Sequence, residues 1–138
     1  MTDLEMARTT ASAAAQVVVH GDGPADIARA RAAARDFIDS LEPAPAPQTA
    51  QTLALVVSEL TTNALRHGGG RYTLELGATP DAVAVAVSDL SSEPPHERAP
   101  DLDGGTGGFG WPMVRRLCET AVTRGPGRRK TVHARLPR

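Results

Sequence analysis

The segment from about Gln48 to His67 constrains this chain more than any other. It follows the run EPAPAP and ends at three glycines, Gly68 to Gly70. Proline cannot continue a helix and glycine weakens one, so both ends of the segment are set. Between them Leu53, Val56, Leu60 and Ala64 recur at helical spacing. A long helix with one apolar stripe needs a second layer to cover it. The same helix carries Glu59, Asn63 and His67, each four residues apart. At about 100° per residue these three span roughly 80° of the circumference, bordering the apolar stripe. A carboxylate and an amide at the edge of a core are costly unless something bonds them. Such a row is either the wet edge of an amphipathic helix or part of a ligand site.

The flanking sequence says what the second layer is. AAQVVVHGD reads as a strand before a Gly-Asp-Gly-Pro turn. PADIARARAAARDFIDSL reads as a helix, with Ile27, Ala30, Ala34, Ile38 and Leu41 on one side and Arg29, Arg31 and Arg35 off it. After the central helix, YTLELGA and AVAVAVSDL form a hairpin around TPD. WPMVRRLCET reads as a short helix, and AVTRG and KTVHARL close the chain as two strands around PGRR. The order β-α-α-β-β-loop-α-β-β predicts an α+β fold: a two-layer sandwich with helices on one face of a mostly antiparallel sheet. Residues 1–13 read as a flexible N-terminal segment and 14–138 as one domain. With only four aromatic residues, the core must be built mainly from Ala, Val and Leu.

Composition removes several classes of function. The formal net charge of −1 gives no field to recruit nucleic acid or acidic lipid. The single cysteine, Cys118, cannot form an internal disulfide. The N-terminus has no basic, then apolar, signal pattern, and no stretch approaches a membrane helix of about 20 apolar residues. A cytoplasmic protein is the expectation.

Two further features carry chemistry. GGTGGFG, Gly104 to Gly110, places five glycines directly ahead of a helix. Glycines let a backbone approach a ligand closely, and a helix N-terminus offers unpaired N–H groups, so the stretch is either a flexible turn or a phosphate site. It is not a Walker A loop, since Trp111-Pro112 stands where Lys-Ser/Thr would be. Asp89, at the end of AVAVAVSDL, either caps a turn or accepts hydrogen bonds from an exocyclic amine. The loop from Ser91 to Gly108, rich in Pro, Gly and acids, is long enough to be functional and is expected to act as a lid. His20, His96 and His133 lack metal-ligand spacing and are expected at surface or turn positions. Cys118 is expected in the core, and RGPGRRK is expected as a solvated hairpin turn.

SELTTNALRHG, VSDLSSEPP, GGTGGFGWPMV and RKTVHARL occur in the order of the N, G1, G2 and last-strand boxes of the Bergerat, or GHKL, ATP-binding fold. That superfamily includes histidine kinases, MutL and type II topoisomerases. The chain most resembles anti-sigma-factor serine kinases of the RsbW and SpoIIAB type and the small ATP-binding regulators of actinomycetes, over about Val17 to Leu136. The resemblance implies that Asn63 holds Mg²⁺ against the phosphates of ATP and that Glu59 is the general base. It implies phosphate and nucleotide contacts for Arg66 and His67 and adenine recognition by Asp89. It implies nucleotide contacts from Gly104, Gly105, Thr106, Gly107, Gly108, Phe109 and Gly110, with Thr131 near adenine. The implied function is an ATP-dependent serine/threonine protein kinase acting on a small antagonist protein of the STAS type, with a sigma factor as a further partner and a homodimer as the assembly. Three alternatives stand beside it: a regulatory ATP-binding module without phosphotransfer, a stand-alone histidine-kinase-like ATPase domain, or no nucleotide at all. Two departures from the pattern are visible. Ser91 replaces the glycine that follows the kinase-type G1 aspartate, and Arg98 is the nearest cation in the lid.

Overall fold

The computed structural model describes residues 16–67, 69–91, 110–127 and 129–138. The expected N-terminal segment and the lid, with Gly104 to Phe109, His96 and Arg98, lie outside the described residues.

In chain order the elements are β1 (Val17–Gly21), α1 (Ala25–Asp39), α2 (Pro47–His67), β2 (Tyr72–Ala78), β3 (Ala82–Asp89), α3 (Gly110–Leu117), β4 (Glu119–Arg124) and β5 (Lys130–Pro137). The strands form one sheet in the order β1-β2-β3-β5-β4, with every neighbouring pair antiparallel. Register decides which side chains meet the helices. Val83, Val85 and Val87 of β3 stand opposite Leu136, Ala134 and Val132 of β5, and Leu74 and Leu76 of β2 stand opposite Val87 and Val85. All of these belong to one buried cluster with Leu53, Val56, Val57, Leu60 and Ala64 of α2. The cluster also takes in Ala30, Ala34, Phe37 and Ile38 of α1 and Trp111 and Val114 of α3. Three helices therefore cover one face of an antiparallel sheet, the α+β sandwich that the sequence predicts. Each fully buried Val or Leu contributes about 1.5–3 kcal/mol, so the core is assembled mainly from many such increments, with Phe37, Tyr72 and Trp111 added.

The first helix is fastened at its start by its own acid. Asp26 accepts hydrogen bonds from the backbone N–H groups of Asp22 (2.9 Å) and Gly23 (3.2 Å). The bond from the Asp22 N–H is the main reason its carboxyl lies below the ordinary value. The Tyr72 hydroxyl donates to the Asp26 carbonyl at 3.1 Å, tying β2 to the same turn.

Local expectations need correction at three places. The short helix ends at Leu117: Cys118 N–H makes a last helical bond to Val114 O (2.9 Å), and Glu119 then pairs with Arg135 as β4 begins. His133 is not at the surface. It lies inside β5, 8% exposed, with Nε2 2.9 Å from Thr123 Oγ1 and Nδ1 without a hydrogen-bond partner among the described residues. Lys130 does not belong to the solvated hairpin. Gly125 N–H bonds Arg129 O, closing the turn one residue earlier, so Lys130 opens β5 and is 4% exposed. Cys118 does pack against the core, and burial pushes its thiol up to about 11. Among the described residues no helix is long and apolar enough to cross a membrane.

Candidate functional site

The polar row of α2 sits where its phase requires. Leu53, Val56, Leu60 and Ala64 are buried, Glu59 and Asn63 are half-buried beside them, and Arg66 and His67 are exposed in the last turn. Thr61 is also buried, but it satisfies itself by donating to Val57 O at 2.7 Å, one turn back. Asn63 has no such arrangement: its amide makes no side-chain hydrogen bond among the described residues.

Glu59 reaches across to α3. Its carboxylate packs on Gly110, the first residue of that helix, so closely that a Cβ at Gly110 would overlap Oε2 and stand 2.9 Å from Cδ. With the acid in this position, any larger residue at Gly110 requires the carboxylate end of Glu59 to move. The end of the glycine-rich stretch and the N-box helix, distant in sequence, thus form one corner, with a carboxylate at the positive end of a helix dipole. Burial raises the Glu59 carboxyl above its ordinary value, and the Arg66 cation pulls it part of the way back.

Asp89 ends β3 on the face that the helices cover, following Val83, Val85 and Val87 in phase. Its partner is Lys130, whose Nζ donates to Oδ1 and Oδ2, each at 2.9 Å. The two side chains are 4% and 5% exposed. Ser91 N–H adds a third bond to Oδ1 at 2.9 Å. Asp89 therefore bonds the turn that follows β3, through Ser91 N–H, and is neutralised by a lysine of the neighbouring strand. Lys130 was legible in principle. It shares the parity of Val132, Ala134 and Leu136, which marks the core-facing side of KTVHARL. Thr131 has the opposite parity. It pairs with Ser88, its hydroxyl 2.8 Å from Ser88 Oγ, on the sheet face turned away from Asp89.

A cavity of about 540 Å³ opens at the ends of β1, β2 and β3. Gly21, Tyr72, Leu90, Arg71 and Arg129 are among its walls, and among the described residues Asp89 is the one expected site residue that it touches. No residue of α2 lines it. The polar row and this cavity are thus separate features of the described residues. Among the described residues no cluster of His, Cys, Asp and Glu could hold a metal on its own.

Comparison with known proteins agrees with this layout. No curated protein matches the chain. Among solved structures, a chain in the crystal structure of the SiaB-SiaC complex from Pseudomonas aeruginosa superposes with a TM-score of 0.62 at 16% identity. The match covers 100% of this chain and 99% of that one. At that identity the likeness concerns the fold. The family model for the histidine kinase-like ATPase domain matches residues 22–136, from the turn before α1 almost to the end of β5. With the sandwich, the N-box row and the Gly110 corner all inside the matched span, the chain belongs to the histidine kinase-like ATPase domain family.

Proposed function

We propose that this protein binds ATP with Mg²⁺ beside the α2 row and transfers phosphate to a serine or threonine of a small antagonist protein, in the manner of the anti-sigma-factor kinases it resembles. The observation that carries the reading is the packing of Glu59 on Gly110, one helical turn from the amide of Asn63, which makes no side-chain hydrogen bond among the described residues, in a chain of an ATPase-domain family. The residues suit the metal. Mg²⁺ takes hard oxygen ligands and retains water, so a single amide oxygen from Asn63 is a fitting protein ligand. When bound, Mg²⁺ neutralises phosphate charge.

The chain's own groups have separate tasks. Asn63 orients the metal. Arg66 and His67, in the last turn of α2, supply cationic and ring contacts to the nucleotide. The glycine stretch from Gly104 to Gly110 lets backbone approach the phosphates, and the N-terminus of α3 adds the positive end of its dipole. Glu59 takes the proton from the incoming hydroxyl. Burial raises its pKa and so makes it a stronger base than a solvated carboxylate. Asp89 recognises the base. Thr131 drops out of the proposed site because it faces the other side of the sheet. The partner is a STAS-type antagonist, a sigma factor or both. The SiaB-SiaC structure, itself a complex of two named proteins, supports a protein partner. The near-neutral net charge fits action without direct nucleic-acid contact, in the cytoplasm.

A second reading is an ATP-binding regulator without phosphotransfer, which the family match supports equally because it does not depend on Glu59 acting as a base. Calorimetry with ATP and excess Mg²⁺, paired with labelled-phosphate transfer to candidate antagonists, separates the two. The kinase reading expects Glu59→Gln to bind Mg-ATP like the parent and to transfer phosphate 10²–10⁴-fold more slowly, as roughly expected for loss of a general base. It expects Asn63→Ala to lose both. Binding without transfer to any associated antagonist selects the regulator, and no binding at millimolar ATP overturns both.

A further inference from the structure

The sheet face turned away from the helices carries a row of polar side chains at one register. His20 of β1 stands opposite Thr73 of β2, Thr73 opposite Ser88 of β3, and Ser88 opposite Thr131 of β5. They bond in two pairs: His20 Nδ1 lies 3.2 Å from Thr73 Oγ1, and Ser88 Oγ lies 2.8 Å from Thr131 Oγ1. Of two hydroxyls that share one bond, the accepting one keeps its own O–H to donate. Ser88 can therefore accept from Thr131 and still donate. Thr73 and Ser88 both line the cavity of about 540 Å³ at the strand ends.

Two arginines complete that wall. Arg71 immediately precedes β2 and Arg129 immediately precedes β5, and β3 lies between those strands. Neighbouring strands are about 4.8 Å apart, so the two residues flank the end of β3 from both sides. Both are exposed, and both line the cavity. Neither side chain makes a hydrogen bond or ion pair among the described residues. The other charges of the wall are largely committed. Asp26 pairs with Arg29 at 3.1 Å and accepts from the N–H groups of Asp22 and Gly23. Asp89 is neutralised by Lys130. Asp22, the remaining acid, stands in the turn before α1, and the two arginines outnumber it.

Two guanidinium groups on opposite sides of one space select among anions. Each presents a planar fork of N–H donors. A carboxylate is planar, and one fork satisfies it. A phosphomonoester carries about −1.5 to −2 of charge on three terminal oxygens that point in different directions. It can meet two forks and a hydroxyl at once. The volume also falls within the roughly 300–1,000 Å³ of small-molecule pockets, which leaves room for the rest of an ester.

We infer that this cavity binds a small phosphomonoester, with Arg71 and Arg129 clamping the phosphate and Ser88 donating to it from the sheet. The site is separate from the nucleotide row: no described residue of α2 or α3 lines it, and its hydroxyls lie on the sheet face opposite the helices. The inference does not depend on the proposed ATP chemistry.

The test is a nuclear magnetic resonance titration of the isotope-labelled protein with inorganic phosphate and with glycerol 3-phosphate, against sodium chloride at matched ionic strength. Both probes are expected to give saturable amide shifts at Arg71, Thr73, Ser88 and Arg129 in the millimolar range, and chloride is not. Arg71→Gln and Arg129→Gln should each weaken binding roughly tenfold, the loss of one hydrogen-bonded cation. Saturating Mg-ATP should leave the glycerol 3-phosphate shifts in place. Shifts that never saturate, that chloride reproduces, or that survive unchanged in both variants overturn the inference. Saturation by inorganic phosphate alone overturns the ester assignment. Displacement by Mg-ATP makes the cavity part of the nucleotide site, which overturns the inference and leaves the proposed function standing. A protein that binds the probes but no ATP does the reverse. If a variant does not fold, saturation and the position of the shifts in the parent decide.

Discussion

Truncating one member of the Asp89–Lys130 pair should damage the fold far more than removing both. The side chains are 4% and 5% exposed, so water and salt screen them little and no discount for surface exposure applies. Asp89→Ala takes from a buried ammonium the carboxylate it pairs with and removes one acceptor from the Ser91 N–H. Breaking a buried pair in this way costs about 3–5 kcal/mol. Small domains have total stabilities of about 5–15 kcal/mol, so the variant should be close to the limit of folding. In urea, at an m-value of about 2 kcal/mol per molar, the unfolding midpoint should fall by about 1.5–2.5 M. The double variant Asp89→Leu with Lys130→Met buries no charge, and it should recover the parent's midpoint or exceed it. Urea unfolding followed by far-ultraviolet circular dichroism gives all the midpoints. A loss of less than about 1 kcal/mol in Asp89→Ala would show the pair to be as weak as a surface salt bridge, and burial would then not set its strength.

Three further outcomes follow from the same side chains. Burial raises the Glu59 pKa, so the folded state holds this proton more tightly than the unfolded chain. The contribution of Glu59 to stability therefore falls as pH rises from its ordinary value of 4.5 through the raised folded value, and Glu59→Gln should melt above the parent at pH 7 and lack that slope. Burial lowers the His133 pKa, so its contribution is lost as pH falls below the ordinary 6.5; His133→Leu should flatten the thermal midpoint across that range. A Cβ at Gly21 would overlap the Tyr72 ring, so Gly21→Ala should cost about 1–3 kcal/mol, whereas Gly23→Ala, which meets nothing within 4 Å, should be near neutral in the same melt.

The layers were legible because their signals are periodic. Leu53, Val56, Leu60 and Ala64 repeat over many turns between a proline run and a glycine run, and the valines of AVAVAVSDL alternate without interruption. Ends were less secure: WPMVRRLCET carries helix-compatible residues past Leu117, and only pairing with β5 claims Glu119 and Thr120 for a strand. Within the site, Glu59 and Asn63 are placed by helical phase alone, and both fall at the core's edge as that phase requires. Thr131 and Lys130 show the opposite case. Neighbours in a strand point to opposite faces, so motif matching that is off by one residue selects the wrong face entirely. The Glu59–Gly110 contact had no local signal, because nothing in either segment states how α3 approaches α2.

The sheet order β1-β2-β3-β5-β4 also bears on how quickly this chain reaches its native state. The pairs β2–β3 and β4–β5 join strands that are consecutive in sequence, and such hairpins close in microseconds. The central β3–β5 pair is different, since Asp89 and Lys130 at its end are 41 residues apart. Closing that span is an entropic step that must precede most of the reward from the core, so it is the natural bottleneck of folding. The dependence on length is logarithmic. Doubling the 41-residue span would add only about 0.6 kcal/mol to the closure cost. Chain inserted between β3 and α3 should therefore slow folding by less than about threefold and leave the sandwich standing, which makes that connection the natural place to graft a new recognition segment onto this fold.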